Sequence, residues 1–560
     1  MSNFMLMEPM NQSFQEIIGN GVQYTVPRFQ RDYAWNQAQW EELWADIETL
    51  SQEDFHYMGY IVLQKKHHNA FEVIDGQQRL ITLTLIALAS MKKIKQLTEQ
   101  NTENETRLKA LNEKFVGYTS TVSLRVNNKL TLNRNNNEHF RYICDHLDIR
   151  NTRGLITTNK LLNKAFKFFE DQKVGETGSE IAKFIENIAA KMFFTKIVVQ
   201  DSLNAYKVFE TLNARGVQLS TPDLLKNYIF YVITQNQAIT SSELDDFDKT
   251  WAFILQELGL SSFTDFIRYH YNFQNKIVTK KDLFLSIRNA LDTSKKAVQY
   301  LKSLEEYAPI YAALSQPASE YWRNIENIDH RSIKFYLTGF DLFNIKQPFT
   351  VLMAAANNKF STQAFEKLLK YFFILTIRYN VICHLSPNEQ EKAYNRIAMG
   401  IHNNEYKTAY EVKNSAVFKN LYPNDDVFLR NFEFHKMPSK QTPRKIRFLL
   451  SSIENYLGNA IDYEKVTLEH ICPYHADEDW DDYFGEGVID VIDRLGNMVL
   501  LKKDHLGRKR FDEKKEYYAQ SGFKLADKVA SYENWDKNSV DDYQRWLAKQ
   551  AAQTWHINFD

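Results

Sequence analysis

Two short runs in this chain of 560 residues gather the residue types that handle phosphate esters. The first comprises Glu469-His470 in LEHICP, Asn497 in LGNMVLL and His505 in KKDHLGRKRF. Hydrolysing a phosphodiester with one metal ion needs a base to activate water, a cation to neutralise developing charge, and a polar group that holds the base in its useful tautomer. A ββα-metal unit supplies all three. Glu469 and His470 stand at the end of a strand that Pro473 breaks, and the Asn497 side chain can orient the histidine. Singly, a strand-end histidine is ordinary structure; the ordered set carries the reading. Cys472-x-x-His475 lacks the second ligand pair that a zinc site needs.

The second run is Asp75-Gly76-Gln77-Gln78-Arg79. A glycine between a strand and a helix lets the backbone approach a ligand, and the helix N-terminus offers N–H groups and positive dipole to an anion. Arg79 can add a bidentate phosphate contact, and Asp75 can hold a metal or a sugar hydroxyl. The same turn also serves as plain architecture. Tyr33 and Trp35 could stack on a base or fill a core.

These residues must be positioned by ordinary elements. Asn36 is placed to cap a helix with Trp40, Leu43, Trp44, Ile47 and Leu50 on one face. Strands are expected at 56–64 and 71–75, joined by a polar turn at 65–69, followed by a buried helix through RLITLTLIALASMKKIKQL. A further strand spans 193–200, a helix runs on through Phe209, and Thr221-Pro222 starts another. From 236 to 455 apolar residues recur at three- and four-residue spacings, and Thr442-Pro443 opens a last helix closed by Gly458-Asn459. A strand at 466–471, an acidic loop at 476–490, an apolar run at 497–501 and a basic helical segment complete the chain. Within that segment Lys502, Lys503, Arg508, Lys509, Arg510 and Lys514 are candidate contacts to DNA phosphates.

Length predicts roughly three domains. Hydrophobic residues at 44% and charged residues at 25% describe a globular chain, and three separated cysteines exclude a disulfide framework. The net charge of −1 excludes a globally basic nucleic-acid coat. No apolar run reaches bilayer length and no export signal opens the chain, so a cytoplasmic protein is expected.

Residues 27–35 (PRFQRDYAW), 58–64 (MGYIVLQ), 72–82 (EVIDGQQRLIT) and 208–227 (VFETLNARGVQLSTPDLLKN) together resemble the N-terminal domain of the GmrSD family of modification-dependent restriction enzymes. The run from Glu469 to Pro473, the Gly-Asn-hydrophobic-x-Leu-Leu run and Phe511-x-x-Lys514 resemble the C-terminal nuclease domain of the same family. The resemblance implies a ParB/sulfiredoxin-like fold in which Asp75, Gly76, Gln77, Gln78 and Arg79 form a nucleotide turn. Gln30 and Arg31 are its neighbours, and Asn213 and Arg215, followed by Gly216, are second contributors. It further implies a His-Me-finger (HNH-like) domain with His470 as general base, Asn497 orienting it, and Glu469 and His505 as ligands of Mg²⁺ or Mn²⁺. Asp504 could replace either ligand, and the sequence departs from the family at position 505, near which many members carry Asn.

The expected fold is α+β and predominantly helical: a ParB-like α/β domain (1–235), a helical middle domain (236–455) and a ββα-metal nuclease domain (456–560). The expected function is an NTP-regulated, metal-dependent DNA endonuclease of anti-phage defence, acting on modified or phage DNA, with NTPase activity and no membrane partner. A homo-oligomer is compatible with it. The rival is a nucleotide-switched DNA clamp without cleavage.

Overall fold

The computed structural model describes residues 9–19, 21–28, 30–50, 54–67, 69–97, 102–119, 126–150, 154–199, 221–234, 239–357, 359–474, 480, 484, 488–502 and 506–560. Asn213, Arg215, Gly216, Lys503, Asp504 and His505 lie outside them. The chain forms two compact units, Met1–Asp248 with Arg288–Val298, and Lys249–Ile287 with Gln299–Asp560. It is α+β and predominantly helical, as expected. No described helix is long and apolar enough to cross a membrane.

The first unit is built on a six-stranded mixed sheet from β1 (Met10–Ser13), β2 (Gln23–Thr25), β3 (His56–His67), β4 (Ala70–Asp75), β7 (Leu130–Thr131) and β8 (Met192–Val199). Their spatial order is β1-β8-β3-β4-β2-β7, while β5 (Gly117–Thr119) and β6 (Val126–Asn128) make a separate pair. β3 runs antiparallel to β4 and parallel to β8. It continues three residues past the expected end at Gln64, because Lys66 pairs with Glu72 across the strands at 2.9 Å and the polar segment stays in the ladder.

The helix Gln37–Thr49 begins as its sequence dictates. Asn36 accepts from Ala38 N–H at 3.0 Å, and its own N–H donates to Gln39 Oε1 at 2.8 Å. Trp40, Leu43, Trp44 and Ile47 face the core. The helix Gln77–Gln96 is buried on nearly every side, packing against Thr102–Phe115, Thr157–Glu170 and Gly178–Lys191. Each fully buried Leu or Ile there contributes about 1.5–3 kcal/mol. This central helix fixes the end of β4, and with it the DGQQR turn.

The second unit is mainly helical. The expected helix after Thr442 spans Pro443–Tyr456, and Gly458 beyond it takes φ +108°, which a glycine adopts without strain. The segment 456–560 is packed into the same unit as the preceding helices rather than standing as a separate body. Glu454 accepts from Leu525 N–H at 2.9 Å, Gln544 donates to Phe432 O at 2.8 Å, and Arg494 donates to Glu433 O at 3.0 Å. Fully buried Arg378 donates to Pro423 O at 3.1 Å and Trp555 O at 3.0 Å. β9 (Thr467–His470) and β10 (Met498–Leu501) form the small sheet that carries the first motif.

Candidate functional site

β9 and β10 pair antiparallel, with Met498 opposite His470 and Val499 opposite Glu469. The helix Phe511–Gln520 follows, so strand, strand and helix come in the expected order. Among the described residues of the basic run, Gly507 turns the chain with φ +58°, and the helix begins only after Arg510.

Successive strand residues point to opposite faces, which separates Glu469 from His470. Glu469 is 6% exposed. Its Oε1 accepts from Gly507 N–H at 3.1 Å and lies 3.6 Å from Lys514 Nζ. The Lys514 side chain is 0% exposed, and its ammonium also donates to the carbonyls of His470 at 2.9 Å and Ile471 at 3.0 Å. Burial pushes the Lys514 pKa down, opposed by Glu469. Lys514 is therefore no phosphate contact. It is a buried cation that ties the helix to the end of β9, and the expectation fails because Phe511 and Lys514, three residues apart, share the helix's inner face. Glu469 is correspondingly an occupied carboxylate, and a metal bound there would have to displace the ammonium.

His470 lies half-buried with its ring edge against Tyr474, centroids 4.9 Å apart. The Tyr474 hydroxyl donates to Asp493, whose Oδ1 also accepts from Ser439 N–H at 3.3 Å. Burial pushes the His470 pKa down to about 4, with Asp493 pulling it back. At neutral pH the imidazole is uncharged, the form that accepts a proton. Its Nε2 is buried and has no hydrogen-bond partner among the described residues. Such a nitrogen suits a water, a substrate oxygen or a divalent cation. Among the described residues no three His, Cys, Asp or Glu side chains cluster as a metal set.

Among the described residues, the side-chain hydrogen bonds of Asn497 go to Cys472 and Trp535 and not to the imidazole. Its Oδ1 accepts from Cys472 N–H at 2.8 Å and the Trp535 indole at 3.3 Å, and its Nδ2 donates to Cys472 O at 2.9 Å. Asn497 O also accepts from Ile471 N–H at 2.9 Å. The residue staples the backbone immediately after His470, so it positions the histidine through the chain rather than by a side-chain hydrogen bond. Lys502, Arg508, Lys509 and Arg510 are exposed beside this sheet. Lys509 leans over the Tyr517 ring at 4.6 Å, and Arg510 lies 3.8 Å from Asp512.

In the first unit, β4 ends at Asp75, Gly76 takes φ +90°, and the helix starts at Gln77. A Cβ on Gly76 would lie 3.2 Å from Tyr60 O, so glycine is required by both conformation and space. The glutamines are committed to the protein. Gln77 donates to Arg31 O at 3.2 Å, Gln78 donates to Asp32 O at 3.0 Å and accepts from Ala34 N–H at 2.8 Å, and Gln30 donates to Ile74 O at 3.0 Å. All three side chains are buried. They fasten the 30–34 loop to the turn, while Gln77 Oε1 is buried without a hydrogen-bond partner among the described residues. Arg31 is exposed. Tyr33 is core, bonded to Thr82 at 2.9 Å and to the Trp40 indole at 2.9 Å.

Arg79 lies 3.7 Å from Asp75 and donates to Met58 O, across Gly59. Gly59 has φ +90°, and a Cβ there would fall 2.3 Å from the Arg79 guanidinium. It sits where the β3–β8 register shifts between Tyr57 and Tyr60, so a bulge makes the seat for the arginine. Sequence reasoning missed Gly59, although a lone glycine inside a strand pattern is the signal of such a bulge. Burial holds the Asp75 carboxyl above the usual carboxylate range, opposed chiefly by Arg79.

Comparison with known proteins agrees with this two-part organisation. The family model described as GmrSD restriction endonuclease, N-terminal domain, matches residues 12–230, which contain the DGQQR turn. The model described as GmrSD restriction endonucleases, C-terminal domain, matches residues 422–550, which contain β9, β10 and the helix after them. No curated protein matches the chain. With its N-terminal and C-terminal parts matched by the two models, which together span more than half its length, the chain belongs to the GmrSD family of restriction endonucleases, enzymes that cut DNA in restriction and defence.

Proposed function

We propose that this restriction endonuclease is metal-dependent, is regulated by a nucleoside triphosphate that it also hydrolyses, and acts in anti-phage defence on DNA distinguished by modification. The observation that carries the chemistry is the buried, unmatched Nε2 of a neutral His470 at the end of β9. In this reading His470 takes the proton of the attacking water, and a base of this kind contributes about 10²–10⁴ in rate. Asn497 and Lys514 hold the backbone at His470 and immediately after it. A divalent ion beside His470 would neutralise charge on the scissile phosphate. Its ligands would come from His505 or Asp504, and from Glu469 only where the ion displaces the Lys514 ammonium that Glu469 faces. Lys502, Arg508, Lys509 and Arg510 would grip the DNA backbone.

The nucleotide reading is supported by the turn itself: a strand, a left-handed glycine and a helix N-terminus beside Arg79 and exposed Arg31. The test is cleavage by the full chain of plain and base-modified phage DNAs, with Mg²⁺ or Mn²⁺, with and without each nucleoside triphosphate. Cleavage confined to one class of modified DNA and altered by a triphosphate is expected. DNA left intact under every metal and nucleotide condition would overturn the enzyme reading in favour of a clamp.

A further inference from the structure

A cleft of about 800 Å³ opens in the first unit beyond the end of β2. Arg28, Lys66, Arg134, Tyr231, Asp245 and Asp248 are among its lining residues, and none of residues 75–79 is. Two guanidinium groups from separate elements converge there on one carboxylate oxygen. Arg28 follows β2, Arg134 opens the helix Arg134–His146, and both reach Asp245 Oδ1, the second at 2.5 Å. Asp248, one turn later, lies 3.8 Å from Arg28 and 3.3 Å from Lys226.

This cluster is poorly matched as a purely internal ion-pair network. At this cluster Arg28, Arg134 and Lys226 face Asp245 and Asp248, while the lining carboxylates Glu72 and Glu138 pair with Lys66 and Arg150; two planar forks share a single oxygen, although each could bind an oxyanion in bidentate fashion. Arg28 Nε is buried without a hydrogen-bond partner among the described residues. Solvent reaches the group, since the Arg134 side chain is 56% exposed and that of Asp245 28%. The two arginines hold the Asp245 carboxyl below its ordinary range, so it remains an anion.

We infer that this cleft is a second anion site, separate from the DGQQR turn, for a ligand bearing a phosphate group, and that Asp245 is its internal occupant, displaced when phosphate enters. A phosphate brings more oxygens and more charge to the two forks than one carboxylate does. Exposed ion pairs contribute little net stability, so the exchange costs little. Asp245 and Asp248 stand in the first turns of the helix Ser241–Gln274, whose later residues belong to the second unit.

The test uses the full chain at one fixed low salt concentration, because phosphate affinities depend steeply on ionic strength. Inorganic pyrophosphate is titrated calorimetrically, and a short unmodified duplex is titrated by fluorescence anisotropy. Asp245→Asn is compared with Asp246→Asn, which removes the same charge one residue away and outside the lining. Asp245→Asn should tighten at least one probe by about fivefold over Asp246→Asn, and Arg134→Gln should weaken the same probe by about tenfold. A gain of affinity cannot come from misfolding. A response by pyrophosphate alone identifies a small phosphate ligand, a response by the duplex alone identifies the nucleic-acid backbone, and both responses support the shared chemistry. Equal affinities of the Asp245→Asn and Asp246→Asn chains for both probes, or native affinity in Arg134→Gln, would overturn the inference.

Discussion

Lys514→Met separates two accounts of the basic C-terminal run. In the structure the Lys514 ammonium is fully enclosed, 3.6 Å from Glu469 Oε1 and bonded to the carbonyls of His470 and Ile471. Methionine fills similar volume but leaves Glu469 buried without its cation. Breaking a buried pair by deleting one partner costs about 3–5 kcal/mol, since an uncompensated charge remains. At about 2–4 °C per kcal/mol for a large domain, the second unit should melt roughly 6–20 °C lower. The double variant Lys514→Met with Glu469→Gln removes the stranded charge while keeping an acceptor for Gly507 N–H, and it should recover about half of that loss. Differential scanning calorimetry measures the melting, and DNA affinity is followed against salt in parallel. A Lys514→Met protein that melts within about 1 °C of native, yet loses about one unit of salt slope in DNA binding, would show a surface phosphate contact and refute the burial argument.

Gly59→Ala places a Cβ against the Arg79 guanidinium at a left-handed position; it should destabilise the first unit by about 1–3 kcal/mol and, like Arg79→Ala, weaken triphosphate binding measured by calorimetry, whereas native affinity in both would reduce DGQQR to architecture. Burial depresses His270 to about 3 and His435 and His470 to about 4, so all three are neutral in the fold. The unfolded chain takes up protons near its ordinary histidine pKa, so this stability is whole above about pH 6.5 and is lost as pH falls toward 4, by up to about 1.4 kcal/mol per histidine per pH unit. Melting temperatures of the second unit from pH 7 to 4.5 should show that slope, reduced by about a third in His435→Gln, and a flat profile would contradict it. A fragment of residues 456–560 should be unfolded by circular dichroism, because Glu433, Phe432 and Glu454 supply hydrogen bonds it needs; a cooperatively melting fragment would show that those contacts are dispensable.

Much of the scaffold is legible in local sequence. Asn36 and Gln39, Thr442-Pro443, and the alternation around β4 fix helix starts and strand positions through short-range chemistry that needs no knowledge of distant partners. The site was legible in outline: the order of Glu469, His470 and Asn497 along the chain predicts a strand pair carrying them, and the strand–Gly–helix turn forms around Gly76. What could not be read is which way each polar side chain faces once remote segments close over it. Lys514 looks like a member of a basic run until Trp480 and Glu469 enclose it. Gln77 and Gln78 look like ligand groups until the 30–34 loop docks on them. Asn497 satisfies the backbone 25 residues earlier, at Cys472. Gly59 shows its purpose only when Arg79, 20 residues later, lies against it. In each case the deciding partner is non-local.

The central claim is that His470 is the base of a DNA-cutting centre, and single-turnover cleavage by native protein and His470→Ala tests it most directly. Both proteins are compared at matched concentrations, on the same cleavable phage DNA and in the same divalent metal, after calorimetry shows equal melting. His470→Ala should lose about 10²–10⁴ in cleavage rate, with DNA affinity unchanged. A His470→Ala protein that cuts within a fewfold of the native rate would place the chemistry elsewhere in the chain.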